Sequence, residues 1–185
     1  MQTLTDEQLV ERIRVDEARG FAHLYHRYKH RIYAYCYRLL RHPQNAEDAT
    51  QETFLKIHRS FQQLENPASL QTWIFSIARN EAFTILRRAK PVEELEKAEN
   101  EVWEDEGPLE RIVERERAEV VQHCLSLLKP AYRELLILRE YEHLSYSEIA
   151  RVTGASESAV KSALFKARKA MGVKLDSMMN ERDER

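Results

Sequence analysis

The stretch SYSEIARVTGASESAVKSALFKARKAM, residues 145–171, decides the fold. It opens on Ser145 with Glu148 three residues later. In that pairing the hydroxyl accepts from the third helical N–H and the carboxylate accepts from the N–H of the cap. Ile149 and Ala150 give the short helix that follows an inward face. Gly154 falls where a turn between helices needs a residue tolerant of positive φ, and Ser156 can cap the next helix. There Val160, Leu164, Ala167 and Met171 recur at steps of four, three and four, which is one apolar stripe of an α-helix. The pattern predicts a helix-turn-helix.

The other side of the second helix is chemically one-signed. From Ser158 to Leu175 there is no acidic residue and there are five basic ones. Lysine and arginine neutralise phosphates and donate to base acceptors in a major groove, and serine hydroxyls reach phosphates or bases. Ser158, Lys161, Ser162, Phe165 and Lys169 form the candidate contact face for duplex DNA, with Lys166 and Arg168 flanking and Ser156 at the helix start. The competing interpretation is a solvated face on an ordinary helical hairpin. It explains neither the absence of acid nor the turn glycine.

Working outward, the rest of the chain also reads as helical. Only 4 Gly and 5 Pro occur in 185 residues, too few turn residues for a protein of many strands. A short helix is expected over Asp6 to Val15. A longer one is expected from about Gly20 to Arg41, with Phe21, Leu24, Tyr25, Tyr28, Ile32, Tyr35, Cys36 and Leu39 on its buried stripe. The tyrosines of that stripe suit a packed helix interface better than a base-stacking platform. His42–Pro43 breaks this helix, and the next is expected from about Asn45, as N-cap, to Phe61. Asn66–Pro67 reads as a cap followed by proline at the first helical position, opening a helix to Arg88. Further helices are expected over Leu109 to Leu128 and Ala131 to Glu142. The fold class expected is all-α, with two helical domains, residues 1–90 and 109–185, joined by a flexible acidic linker, residues 91–108.

Charge supports this division. The net charge of −2 is unusual for a nucleic-acid binder, but residues 91–108 alone carry −7, leaving +4 on 1–90 and +1 on 109–185. Cys36 and Cys124 stand apart in sequence, without the paired spacing of zinc ligands. His23, His26 and His30 share a helical spacing but have no carboxylate or thiolate pattern around them, so neither metal nor cofactor is expected. No Gly-rich phosphate loop or nucleophile–base pair suggests an enzyme. No apolar run approaches the roughly 20 residues of a membrane span, and Met1 to Val10 is polar. A cytoplasmic protein is therefore expected.

The run Leu144 to Arg168 resembles region 4 of extracytoplasmic-function sigma factors, of the sigma-70 family of bacterial RNA polymerase sigma factors. AEDATQETF, residues 46–54, resembles their region 2.2, and TWIFSIARN, residues 72–80, resembles the next part of region 2. The three matches come in family order and cover nearly the whole chain. The resemblance implies a transcription initiation factor that binds RNA polymerase core, through its β′ and β subunits, and directs it to promoter DNA. Asp48, Gln51 and Glu52, with Lys56 beside them, match the positions that dock on the polymerase. The loop with Gln62, Gln63, Leu64 and Asn66, and the helix with Trp73, Arg79, Asn80 and Arg87, match the part that melts and captures the −10 element. For Trp73 a core anchor is the competing role. Region 4 would read the −35 element as duplex. The resemblance also implies control by an anti-sigma factor, which would hold the chain at the membrane indirectly.

Three positions depart from the family pattern. Ala159 and Ala163 stand where many relatives carry threonine and arginine, and His143 stands where glycine is common. The alternative function, a helix-turn-helix regulator with an N-terminal helical sensing domain, explains residues 109–185 but leaves the polar cluster at Asp48–Glu52 unused. A helical adaptor that binds only protein leaves the basic face of the last helix unused.

Overall fold

A computed structural model describes residues 4–88 and 118–183. The acidic linker and the first nine residues of the helix expected from Leu109 lie outside the described residues. The described residues are helical, with no strand among them. In chain order the helices are α1 (Asp6–Val15), α2 (Glu17–Leu40), α3 (Pro43–Ser60), α4 (Leu70–Arg88), α5 (residues 118–126), α6 (Pro130–Leu136), α7 (Tyr146–Thr153) and α8 (Glu157–Asp183).

Local chemistry sets the helix starts. Thr5 and Gln8 form a reciprocal capping box on α1, with N···O distances of 2.9 and 3.2 Å. Asp16 ends α1 and caps α2, so α2 begins three residues before Gly20. Gly20 has a different use. A Cβ there would lie 2.5 Å from Ile13 Cα, so only glycine lets α1 and α2 approach this closely. α3 also starts earlier than expected. His42, not Asn45, is the cap, its Nδ1 accepting from Asn45 N at 3.3 Å, and Pro43 takes the first helical position. Asn66 does cap as expected, accepting from Ala68 N at 3.0 Å ahead of a 3-10 turn, Pro67–Ser69, that leads into α4.

The α1–α4 bundle buries Leu24, Tyr28, Ile32, Tyr35, Cys36 and Leu39 of α2 against Ala46, Ala49 and Ile57 of α3 and Ile74, Phe75 and Ala78 of α4. Tyr28 and Tyr35 are core residues, as the packed-interface reading expects. Tyr28 donates to Asp6 Oδ2 at 2.8 Å while Arg27 donates to Oδ1 at 2.8 Å, tying α1 to α2. Tyr35 meets Phe75 edge to face at 5.4 Å.

In the C-terminal half, α6 continues into a π turn, Ile137–Tyr141, and His143 closes it at φ 55°. A chain at positive φ favours glycine, which accounts for glycine being common at this position. Ser145 and Glu148 make the expected box. Glu148 Oε2 accepts from Ser145 N at 2.7 Å, and Ser145 Oγ accepts from Glu148 N at 3.2 Å. These bonds hold the Glu148 carboxyl below the usual carboxylate range. Gly154 ends α7 at φ 71°. Val160, Leu164 and Ala167 of α8 are buried, and Met171 is half-buried where the stripe leaves the core.

The two halves pack on one another. α7 lies against α4, and α6 with its π turn lies against α2.

Candidate functional site

α8 is built as a two-sided helix. Its inner stripe is buried, while Ser158, Lys161, Ser162, Phe165, Lys166, Arg168 and Lys169 all face solvent. At about 100° per residue, Ser158, Lys161, Ser162, Phe165 and Lys169 share one face, with Lys166 and Arg168 on either side. Phe165 is 71% exposed, an aromatic side chain that the fold leaves free for a partner. Ser156 differs, because its Oγ accepts from Ala159 N at 3.2 Å and is occupied as the helix cap. Arg168 is also committed. Its Nε and Nη2 lie 3.2 and 2.8 Å from Glu140 Oε1 on the π turn, which raises the guanidinium pKa further. Ala159 and Ala163 lie roughly 100–140° round the helix from Ser158, and Ala163 packs partly against the core. The two departures therefore fall off the centre of the basic face.

On α3, Asp48, Gln51 and Glu52 are exposed while Ala46, Ala49, Thr53 and Ile57 are buried. This gives a polar face on a rigid helix, with Asp48 accepting from Gln44 Nε2 at 3.3 Å. Lys56 belongs to an ion pair, its Nζ 2.5 Å from Glu81 on α4. Leu55 is exposed in the same row as Asp48, Gln51 and Glu52. Sequence reasoning passed over it, although the spacing of four from Gln51 was available.

The loop candidates separate. Gln62, Gln63 and Asn66 are exposed. Leu64 is 5% exposed and belongs to the core under the loop, so its side chain is turned away from solvent. On α4, Trp73, Asn80 and Arg87 recur at intervals of seven, which keeps them on one side within about 20° per step. Asn80 and Arg87 are exposed, and Arg87 donates to Thr84 Oγ1 at 3.0 Å. Trp73 is half-buried, its ring 6.3 Å from that of Phe61, as a core anchor would be. Arg79 lies about 100° away from Asn80. Its Nε is 2.7 Å from Glu134 Oε1 of α6, and its guanidinium stacks on Phe83 at 4.6 Å.

Glu134 is the unexpected group. Its side chain is 3% exposed, and Tyr35 also donates to Oε1 at 3.3 Å. Burial pushes its carboxyl up to about 7, with Arg79 and Tyr35 opposing that rise. Glu142 is similar. It is 5% exposed, holds Arg31 Nη2 at 3.0 Å, and is raised above the usual range by burial. Arg133, also buried, meets carbonyls and no carboxylate among the described residues. Its guanidinium donates to the carbonyls of Leu125, Ser126 and Leu128 at 3.0, 2.7 and 3.1 Å and to Leu39 of α2 at 2.7 Å. One cation thus closes the C-terminal ends of two helices.

A family model described as Sigma-70 region 2 matches residues 24–92, and one described as Sigma-70, region 4 matches residues 118–171. The RNA polymerase sigma-H factor of Pseudomonas aeruginosa is 32% identical over 95% of this chain and 96% of its own. The chain belongs to the sigma-70 family of RNA polymerase sigma factors. Within that family it is of the extracytoplasmic-function type. The ECF RNA polymerase sigma-E factor of Escherichia coli K12 is 29% identical over 96% of this chain and 98% of its own. The fold matches CnrH in its complex with the cytosolic domain of CnrY, with a TM-score of 0.70 at 20% identity over 93% of this chain and 97% of that one. It also matches the sigma factor RpoE of Bartonella quintana, solved with the anti-sigma factor NepR, with a TM-score of 0.69 at 22% identity over 84% and 96%. Among the described residues no helix is long and apolar enough to cross a membrane.

Proposed function

We propose that this chain binds RNA polymerase core and brings it to a particular set of promoters, with three faces dividing the work. Asp48, Gln51 and Glu52 of α3, with Leu55 in the same row, dock on the polymerase. The exposed side of α4 with Asn80 and Arg87, and the loop with Gln62, Gln63 and Asn66, hold the −10 element as its strands part. Unpaired strands need cations and amides, and these are the groups present. α8 reads the −35 element through Lys161, Ser162, Phe165 and Lys169, with Ser158 and Lys166 beside them. The work is binding, and no residue is assigned a catalytic role. The chain acts in the cytoplasm, and an anti-sigma factor is the expected partner that restrains it.

The observation that carries this reading is the solvent-facing side of α8, acid-free from Ser158 to Leu175, on a helix whose other side is core, in a chain related to sigma factors along nearly its whole length. A helix-turn-helix regulator with an unrelated sensing domain leaves the region 2 match at residues 24–92 without a cause. In vitro transcription with core polymerase on candidate promoters tests the proposal. Transcripts that need the added chain support it. Glu52→Lys, on an exposed position, is expected to remove core binding in a pull-down while the circular dichroism stays unchanged. Full core binding by the folded variant would remove α3 from the docking face.

A further inference from the structure

Lys161 and Arg168 of α8 are seven residues apart, so they stand on one edge of the helix, within about 20° of each other and roughly 10 Å apart along its axis. Both side chains are exposed. By position alone, either cation can reach a phosphate of a duplex laid against Ser162 and Phe165. Arg168 is nevertheless engaged within the fold. Glu140 Oε1 accepts from its Nε at 3.2 Å and from its Nη2 at 2.8 Å, and the Tyr146 side chain makes a further hydrogen bond to it. Tyr146 is covered in turn by the guanidinium of Arg139, 5.2 Å from the ring centroid, and Arg139 donates to the Leu144 carbonyl at 2.7 Å.

The backbone brings Glu140 within reach. It belongs to the π turn Ile137–Tyr141, a rare form of helix found mostly as single turns at functional positions. In this turn Ile137 and Leu138 are buried, Tyr141 lies under the guanidinium of Arg38 at 4.1 Å, and Glu140 meets α8. To a guanidinium, a carboxylate and a phosphate are the same kind of partner, a charged acceptor for two N–H groups. Exchanging Glu140 for a DNA phosphate therefore returns to Arg168 only what it gives up. It also leaves an unpaired carboxylate beside the phosphate backbone, where like charges repel. Both side chains are about half exposed, 47% for Arg168 and 51% for Glu140, so no core packing locks the pair. What keeps Arg168 from the duplex is the charge on Glu140.

We infer that Glu140 is a built-in phosphate substitute: it withholds Arg168 from duplex DNA and so holds down the sequence-independent part of the affinity of α8, leaving contact with the duplex to Ser158, Lys161, Ser162, Phe165 and Lys169. Arg168 is then a positioning residue, tying α8 to the π turn. The inference deepens the assignment of α8 to the −35 element and rests on it.

The test is a salt titration of the full chain against two labelled duplexes, one holding a −35 element and one of random sequence. Parent, Glu140→Ala, Arg168→Ala and the double variant are compared, with circular dichroism to confirm the fold. Glu140→Ala is expected to steepen the slope of log affinity against log salt by about 0.9, the share of one phosphate, and to raise affinity about fivefold at 0.1 M salt on both duplexes. Arg168→Ala is expected to remove about that much slope in the Glu140→Ala background and far less in the parent. A brace that only stabilised the fold would shift Tm and leave these slopes alone. Equal losses in the two backgrounds overturn the inference, because Arg168 then meets DNA to the same extent with or without Glu140. An unchanged slope in folded Glu140→Ala overturns it as well. Glu140→Gln, which keeps the shape of the side chain and loses its charge, gives the same reading if the alanine variant does not fold. A parent chain with no preference for the −35 duplex counts against the promoter assignment, while the slopes on random duplex still decide the role of Glu140.

Discussion

Lys161 is exposed on α8, on the same face as Ser162 and Phe165, within a stretch that carries no acid. Nothing in that stretch competes with a phosphate for its ammonium group. Lys161→Ala is expected to weaken binding to −35 duplex and to lower the slope of log affinity against log salt by about one. An unchanged slope in a salt titration would take Lys161 out of the contact set. Arg168 differs, because Glu140 already neutralises much of its charge. That contrast was not legible in the sequence. The run from Ser158 to Leu175 shows which side chains are basic, but Glu140 lies 28 residues away, and only the fold brings it to Arg168. The same holds for Lys56 with Glu81 and for Leu64. Leu64 follows two glutamines and looks like a loop residue, yet the 3-10 turn Phe61–Gln63 rolls it into the core. A partner three residues away was legible for Ser145 and Glu148, though not for His42 and Asn45. Partners that come from another helix were not legible.

At the scale of elements, caps and stripes carried the reading furthest. A capping box, a turn glycine and an apolar period of 3.6 are local signals, and they placed α1, α7 and the core side of α8. The start of α3 was misplaced because Asn45 is a good cap type. Pro43 was the better signal, since proline favours the first helical position and His42 can accept a bond through Nδ1. The π turn that follows α6 had no local signature, apart from the departure at His143. There the backbone sits at φ 55°, a conformation that costs an L-residue with a Cβ about 1–2 kcal/mol. His143→Gly removes that strain, while glycine gives back about 0.4–1 kcal/mol of unfolded-chain entropy. The net expectation is a gain of about 0.5–1 kcal/mol, read as a rise of roughly 1–4 °C in Tm. A fall in Tm would mean that the imidazole contributes more than its backbone costs.

At the scale of the molecule, the modules were visible in the sequence but their contact was not. Tyr35 and Glu134 are 99 residues apart, and Arg31 and Glu142 are 111 apart, so no spacing rule joins them. Their contact has a pH consequence whose sign can be worked out. Glu134 faces Tyr35 of α2 and Arg79 of α4, and burial lifts its pKa from 4.5 to about 7 in the closed chain. A carboxyl with a raised pKa binds its proton more tightly when closed than when open. The closed state is therefore favoured in acid and loses stability as pH rises from about 4.5 through about 7. Glu142 shifts in the same direction for the same reason, so the two carboxyls act together. Energy transfer between dyes attached at Glu11→Cys and Ser177→Cys, both exposed positions, is expected to fall between about pH 4.5 and 7 in the parent chain. Glu134→Gln keeps the shape of the protonated acid and never ionises, so it should stay closed over that range and show a shallower slope. Equal slopes in the two proteins would show that the charge on Glu134 does not govern closure, and the contact between the halves would then owe its pH behaviour to Arg31, Glu142 and the packing of α7 on α4.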